Sequence, residues 1–545
     1  MTLTVHVVVD TITLPAWVLE LLCKIRSEPY LMLGNLCLYD SKARVRESEV
    51  VQSQPSMVKR LANRIVDFID KPRMSSEPLA PAVLPEIFIK KSQPLVDSFT
   101  ESTKIDENSL LLWLCKRPLD DCPEAVKYLP AFTVWETHYA RSRANAYAAL
   151  LTGAACIEVF IWQRASPGSV SRLYSAHALP RQSYSVSDIN TYSIACLPEV
   201  LISRLNWVAK LRSPMPMRTA PVTAALSSET ANTHLAATLD EASSNDLLQI
   251  PSMLLRYMRQ LLLNKFAREH WHIRYRLQAR SHSLLPDVQK ALLDDYTAIV
   301  PPKDRMWADP HVVSRDGVHH IFFEEFVFRQ DKGHISALCI AGDGTVSKVR
   351  TVLNEDFHLS YPFVFHFEGH DYMVPETASA GAVRLYRAEQ FPSHWTYLHD
   401  LIGSVNAADS TLFFYNGLWW MFNNGMSHPS VAERDTLNLY YSHNPVDAEW
   451  TPHPLNPIIT GIDCARMAGR VYEESGLLYR PFQYGVKRYG HGFGVARIDL
   501  LDTQRYSETP IVCKTPGYKS KLNGCHTFTH TPELTVIDAL KFNIR

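Results

Sequence analysis

Residues 315–323 read RDGVHHIFF, and three later stretches share their design: FEGHDYMVPE (367–376), YNGLWWMF (415–422) and ESGLLYRPF (474–482). Each has a polar residue and a glycine, followed by a run rich in aromatic and aliphatic side chains. A glycine turn feeding such a run is the signature of a β-hairpin. The turn glycines Gly317, Gly369, Gly417 and Gly476 are spaced 52, 48 and 59 residues apart. Ahead of each turn lies another strand-like run: DPHVV, SYPFVFHF, DSTLFFY and ARMAGRVY. After each hairpin comes a third: GHISALCI, VRLYRA, LNLYYS and GFGVARI. A period near 50 residues, each unit a small antiparallel sheet, predicts a β-propeller.

The four units are followed by CHTFTHTPELTVIDA (525–539), which repeats only the opening hairpin. Four units and a half predict five blades, the last needing outer strands from elsewhere. HWHIRYRL (270–277), just ahead of the first unit, alternates like a strand and can supply one. That pairing would join the two ends of the region and close the ring.

Upstream the texture changes. VHVVVD (5–10) is a continuous β-branched run, LPAWVLELLCKIRS (14–27) has helical apolar spacing, and LMLGNLCLYD (31–40) reads as the next strand. Strand, helix and strand in that order predict an α/β domain with a Rossmann-like parallel sheet. Residues 41–105 read as a long polar insertion, and LLLWLC (110–115) returns to the domain. From 211 to 264 a Pro/Ser/Thr/Ala-rich linker leads into an amphipathic helix, fitted to packing between domains or to peripheral contact with a membrane. The expected domains are therefore 1–210, 211–264 and 265–545.

Formal net charge is −1 over 545 residues, which gives no electrostatic case for nucleic acid. Ten scattered cysteines without metal-type spacing read as reduced thiols, and no metal or cofactor is expected. The N-terminus lacks a basic region and a cleavage site, so it reads as a first strand rather than a signal peptide. The apolar stretch 146–162 is short for a membrane span and contains Glu158. Together these features predict a cytoplasmic protein without a transmembrane segment.

In a propeller, residues at one end of the inner strands converge on a single funnel. Here those openings carry Asp309, Ser360, Asp409, Arg466 and His526, with Glu324, Glu325 and Glu376 ending the adjoining strands. Trp307, Tyr361, Arg470, Arg480 and Gln483 lie close by in sequence. Carboxylates and guanidiniums bind sugar hydroxyls, rings stack on sugar faces, and two carboxyls can cut a glycosidic bond. An Asp in such a place can instead bond turn amides, and the arginines can serve a phosphate.

The strings WADPHVV, FFEE, GHIS, LSYPFVF, VPE, LYRAEQFPSHW, DSTLF, WTPHPLNPI, ARMAGR, LYRPFQ, GCHTF and LTVID carry a resemblance. This half of the chain resembles the propeller-like domain of glucosamine inositolphosphorylceramide transferases and of many bacterial proteins. More distantly it resembles five-bladed propeller glycosidases that act on arabinan, xylan and fructan. The glycosidase likeness implies Asp309 as base or nucleophile, Glu376 as proton donor and Asp409 as a tuning or sugar-binding acid. Ser360 stands where the second-blade acid is expected, a departure from the pattern. Trp307, Glu325, Tyr361, Arg466, Arg470, Arg480, Gln483 and His526 are expected to bind substrate. The implied partner is a glycan, a nucleotide-sugar or a glycolipid head group, bound for glycosyl hydrolysis or transfer, or held without catalysis. The first domain is more weakly similar to formyltransferases, which would imply formyl or acyl transfer to an amino sugar. Its one candidate histidine is His138, in PAFTVWETHYA, and the domain reads as degenerate.

Overall fold

The structure, a computed structural model, describes residues 2–9, 13–38, 81–83, 92–94, 109–114, 134–137, 156–166, 169–178, 186–195 and 197–211, with Ala146, Ala149 and Leu150. It then describes residues 244–277, 292–425, 436–486, 488–517 and 519–544. Most of the expected 41–105 insertion, residues 212–243 of the expected linker and His138 lie outside these residues. The chain divides into two compact units, Met1–Gln260 and Leu261–Arg545.

In the first unit a seven-stranded sheet runs Ser92–Pro94, Leu31–Leu38, Leu3–Val9, Ser109–Trp113, Val134–Thr137, Cys156–Ser166 and Ser169–Ala178. Its first four pairings are parallel and its last two antiparallel. The helix Ala16–Ser27 follows Pro15 and buries Trp17, Val18, Leu21, Leu22 and Ile25 against Val5, Val7 and Leu36. The β-branched run from Val5 is thus a covered central strand, as its continuous apolarity requires. The chain position that divides the units, Gln260 and Leu261, falls within the helix Ser244–Phe266. Among the described residues no helix is long and apolar enough to cross a membrane.

The second unit is a five-bladed β-propeller. From the centre outward, blade 1 is Arg305–Arg315, Val318–Val327, Lys332–Ala341 and Arg350–Leu353. Blade 2 is Ser360–Phe367, His370–Glu376, Ala382–Gln390 and His394–Gly403. Blade 3 is Ala407–Tyr415, Leu418–Gly425, Thr436–Ser442 and Thr451–Pro452. Blade 4 is Tyr472–Glu474, Leu477–Tyr484, Gly492–Leu501 and Tyr506–Lys514. The turn pairs Asp316-Gly317, Glu368-Gly369, Asn416-Gly417 and Ser475-Gly476 all have positive φ at both positions. That is the type I′ geometry whose twist matches a tight hairpin.

Blade 5 is made from both ends of the unit. Phe528–His530 and Leu534–Ile544 are joined by Ala267–Leu277 and then Thr297–Ile299. The two long strands pair antiparallel from Ala267↔Ile544 to Leu277↔Leu534. HWHIRYRL is therefore the closing strand. Apolar clusters fill the gaps between blades. Ile273, Trp307, Phe323 and Val536 meet between blades 5 and 1, and Phe322, Leu359, Met373 and Trp395 between blades 1 and 2. Near the centre, Thr529 Oγ1 of blade 5 donates 2.7 Å to the carbonyl of Pro310 in blade 1.

Candidate functional site

Three inner strands share one local distortion. Register jumps between Ala308 and His311, between Ser360 and Phe363, and between Ala408 and Thr411. Within each jump one residue takes a left-handed backbone: Asp309 (φ 52), Tyr361 (φ 43) and Asp409 (φ 52). For residues other than glycine this conformation costs on the order of 1 kcal/mol or more and concentrates at functional sites. Bulges of this kind re-aim a side chain, here at the mouth of the central channel. Across the register, Ala308 faces Glu324, Ser360 faces Glu376, and Ala408 faces Asn424.

This register corrects one alignment. The second-blade counterpart of Asp309 and Asp409 is Tyr361; Ser360 matches the two alanines. The same bulge occurs in all three strands, so Ala308-Asp309-Pro310 lines up with Ser360-Tyr361-Pro362 without a gap. The Tyr361 hydroxyl is 2.9 Å from Thr411 Oγ1, and burial pushes its pKa well up.

The pit is assembled from all five blades. Thr527 Oγ1 donates 2.9 Å to Asp309 Oδ1, and His526 Nε2 lies 3.1 Å from that oxygen. His526 Nδ1 is 2.8 Å from Asp538 Oδ2, and the backbone N–H groups of His526 and Thr527 donate to Asp538 Oδ1 at 2.8 and 3.1 Å. The Tyr489 hydroxyl is 3.2 Å from His526 Nε2. Opposite, the Arg466 guanidinium grips Asp409 through Nε and, at 3.3 Å, through a terminal nitrogen. A terminal nitrogen of Arg466 also lies 3.6 Å from Glu376 Oε2. Gln483 Nε2 donates 3.2 Å to Asp409 and 2.9 Å to the carbonyl of Met467.

These environments separate the acids. Burial alone would raise Asp309, but the hydrogen bond and charge of His526, with Arg466 and Thr527, hold it at about 2. Burial and the Asp409 and Asp309 charges push Glu376 up to about 8, against the pull of Arg466. Burial pushes Asp409 up against its bonds to Arg466, and burial with the neighbouring acids raises Glu324 well above the carboxylate range. Burial would lower His526, but Asp538, Tyr489 and Asp309 drive it well above its ordinary value. Asp309, His526 and Asp538 place donor atoms within 4.8 Å of one another.

Asp309, Glu376, Asp409, Arg466, Gln483 and His526 are thus brought together. Four other residues named from the sequence do different things. Trp307 packs between blades 5 and 1 and donates 3.3 Å to Glu325. Glu325 turns away from the pit, held by Arg305 at 2.9 Å, His334 at 3.1 Å and Ser336 at 2.6 Å. Neighbours along a strand face opposite ways, so its neighbour Glu324 is the one that joins the pit acids. Arg480 is 0% exposed and donates to Glu508 at 2.7 and 2.6 Å and to the Cys464 carbonyl at 2.7 Å. It is a blade-4 strut, not a pit residue. Arg470 reaches across the channel to the Val364 carbonyl and lies over the Phe363 ring. The sequence reading assigned no role to Asp538, Tyr489 or Thr527. The last residue of LTVID was the available signal for Asp538, since a buried acid inside an apolar strand needs a partner.

Residues 297–529 match the family described as "Glucosamine inositolphosphorylceramide transferase 1, N-terminal". The chain is 34% identical over 207 residues to glucosamine inositolphosphorylceramide transferase 1 of Oryza sativa subsp. japonica, covering 37% of this chain and 28% of that protein. The Arabidopsis thaliana protein of the same name is 32% identical over 207 residues, covering 37% and 27%. The chain therefore spans less than a third of the length of these relatives. Among solved structures it is similar to the catalytic domain of the Coprinopsis cinerea GH62 α-L-arabinofuranosidase, at TM-score 0.34 and 12% identity, covering 44% of this chain and 93% of that one. An α-L-arabinanase of Cellvibrio cellulosa aligns at TM-score 0.29 and 9% identity, covering 37% and 76%. The segment shared with the transferases is the propeller from residue 297 to 529, and it contains Asp309, Glu376, Asp409, Arg466 and His526.

Proposed function

We propose that the propeller pit binds a glycan and breaks or transfers a glycosyl bond. One observation carries the reading. Acids from four blades meet in one buried pit, with a proton-bearing Glu376 and an ionised Asp309 held in the same Arg466–His526 frame. Glu376 would protonate the leaving oxygen. Asp309 would activate the acceptor hydroxyl or water, or attack the anomeric carbon itself. Asp409, tied to Arg466, would set the charge around Glu376 and bind sugar hydroxyls. Matched relatives named as a glucosamine transferase support a glycan context for this segment.

Turnover of a panel of aryl and alkyl glycosides by wild type and Glu376→Gln tests the donor role. The variant should lose alkyl glycosides by about 100-fold or more, and retain more of its rate on activated aryl leaving groups that need no proton. Equal loss on both contradicts the role. The same variant has a stability signature. A carboxyl raised to about 8 binds more protons folded than unfolded between the ordinary carboxylate value and 8. Wild-type stability should therefore fall as pH rises through that window, by about 1.4 kcal/mol per pH unit at most. Glu376→Gln should flatten the slope in chemical denaturation from pH 4.5 to 8, and an unchanged slope counts against the raised pKa.

A second reading is a binding module without chemistry. It is favoured by Tyr361, a phenol where blades 1 and 3 carry acids. Saturable sugar binding without turnover would support it. Formyl or acyl transfer by the first unit is a separate proposal, tested by folate binding to the full chain.

A further inference from the structure

We infer that the central channel holds a small singly charged inorganic anion, of the halide class, between Arg470 and His311 below the acidic pit. His311 lies two residues beyond Asp309 on the inner strand of blade 1 and is 1% exposed. Neither of its ring nitrogens has a hydrogen-bond partner among the described residues. Leaving a buried donor unpaired is costly, and nearly all such groups in folded proteins are satisfied. Its ring stands edge-on to Tyr361 and Phe363, with centroids 4.5 and 5.6 Å away. Those contacts fix the ring without using either nitrogen.

Arg470 comes to the same place from blade 4, two residues ahead of the strand Tyr472–Glu474. Its guanidinium carbon sits 4.6 Å from the centre of the Phe363 ring that His311 also touches. The bond to the Val364 carbonyl uses a single donor of the guanidinium fork, and among the described residues no carboxylate pairs with it. Burial drops its pKa to about 10, opposed only by the Tyr361 phenol. Burial and the Arg470 charge together drop His311 to about 3. At neutral pH the cluster is therefore one cation beside a neutral imidazole with an N–H to donate. A guanidinium out of water without a counter-charge is costly, and an anion on its fork removes that cost. One charge and one added donor match a singly charged ion. A phosphate needs a further cation, and the nearby Arg466 is taken by Asp409 and Glu376. Asp309 also acts on His311, but Thr527 and His526 hold its carboxylate. The ion would tie blade 4 to blades 1 and 2 across the channel.

Urea denaturation of the full chain tests this at constant ionic strength and neutral pH, with gluconate replaced by bromide, chloride or fluoride. An anion held only by the folded state raises the midpoint with the logarithm of its concentration. Bromide and chloride are expected to do so, and fluoride, whose hydration is harder to strip, far less. Arg470→Met should weaken the apparent affinity about tenfold or more. His311→Phe keeps a ring against Tyr361 and removes both nitrogens, and it should weaken the response as well. Midpoints indifferent to the anion, or an unchanged response in both variants, overturn the inference. Crystals of the wild-type chain grown in bromide give a readout that needs neither variant to fold. An anomalous peak within hydrogen-bond reach of Arg470 and a His311 ring nitrogen is expected. A water there instead, or bromide only at the surface, overturns the inference. The glycan reading stands or falls separately, since none of these measurements involves a sugar.

Discussion

Asp309→Asn is expected to reduce glycosyl turnover by about 10²–10⁴-fold, the range in which a positioned base or acid contributes. The fold should survive. Asp309 sits at φ 52, and Asn is among the few residues that take this conformation readily. An amide oxygen can still accept from Thr527 Oγ1, now 2.9 Å away. What is lost is the negative charge beside His526, which keeps Asp538 as its partner at 2.8 Å. Sugar affinity should persist while the rate falls. Wild-type turnover in the variant, with its folding checked by thermal denaturation, would defeat the assignment of Asp309.

Arg480→Ala should act through stability instead. The guanidinium is wholly buried, donates two bonds to Glu508 and one to the Cys464 carbonyl, and lies between the Phe422 and Phe482 rings. Removing it strands the Glu508 carboxylate, which also accepts 2.6 Å from the Tyr506 hydroxyl. Breaking one side of a buried pair typically costs about 3–5 kcal/mol. Replacing both partners, Arg480→Met with Glu508→Leu, should recover most of that loss, because no charge remains unpaired. Denaturant midpoints for the single and double variants check this, and sugar affinity of the double variant should match wild type. A large affinity loss with unchanged stability would return Arg480 to the binding site.

The ring was legible because its punctuation is local. Four polar-Gly turns at a period near 50 residues declare the hairpins, and the orphan half-unit at 525–539 requires a strand from elsewhere, which HWHIRYRL supplies. The pit was legible in outline, since the strand mouths named Asp309, Asp409, Arg466 and His526. The errors came from which way a side chain points. In FFEE the pleat separates neighbours, so Glu324 and not Glu325 joins the pit acids. In LSYPF the residue before the proline, Tyr361, and not Ser360, takes the left-handed place of Asp309 in WADPH. Arg480 and Gln483 are close in sequence, yet one bonds Glu508 within blade 4 and the other Asp409 at the centre. Tyr489 reaches His526 from a loop of blade 4, a contact between distant segments that has no local pattern to announce it.

The most direct test of the account is a crystal structure of Asp309→Asn soaked with the tightest-binding glycoside. The account predicts the sugar ring in the central pit, its glycosidic oxygen within hydrogen-bond reach of Glu376 and its anomeric carbon facing position 309. The two carboxyl positions should be separated by about 5–10 Å, the span over which paired acids cut such bonds. A sugar seated elsewhere, or Asp309 and Glu376 facing away from each other across the ring, would contradict it.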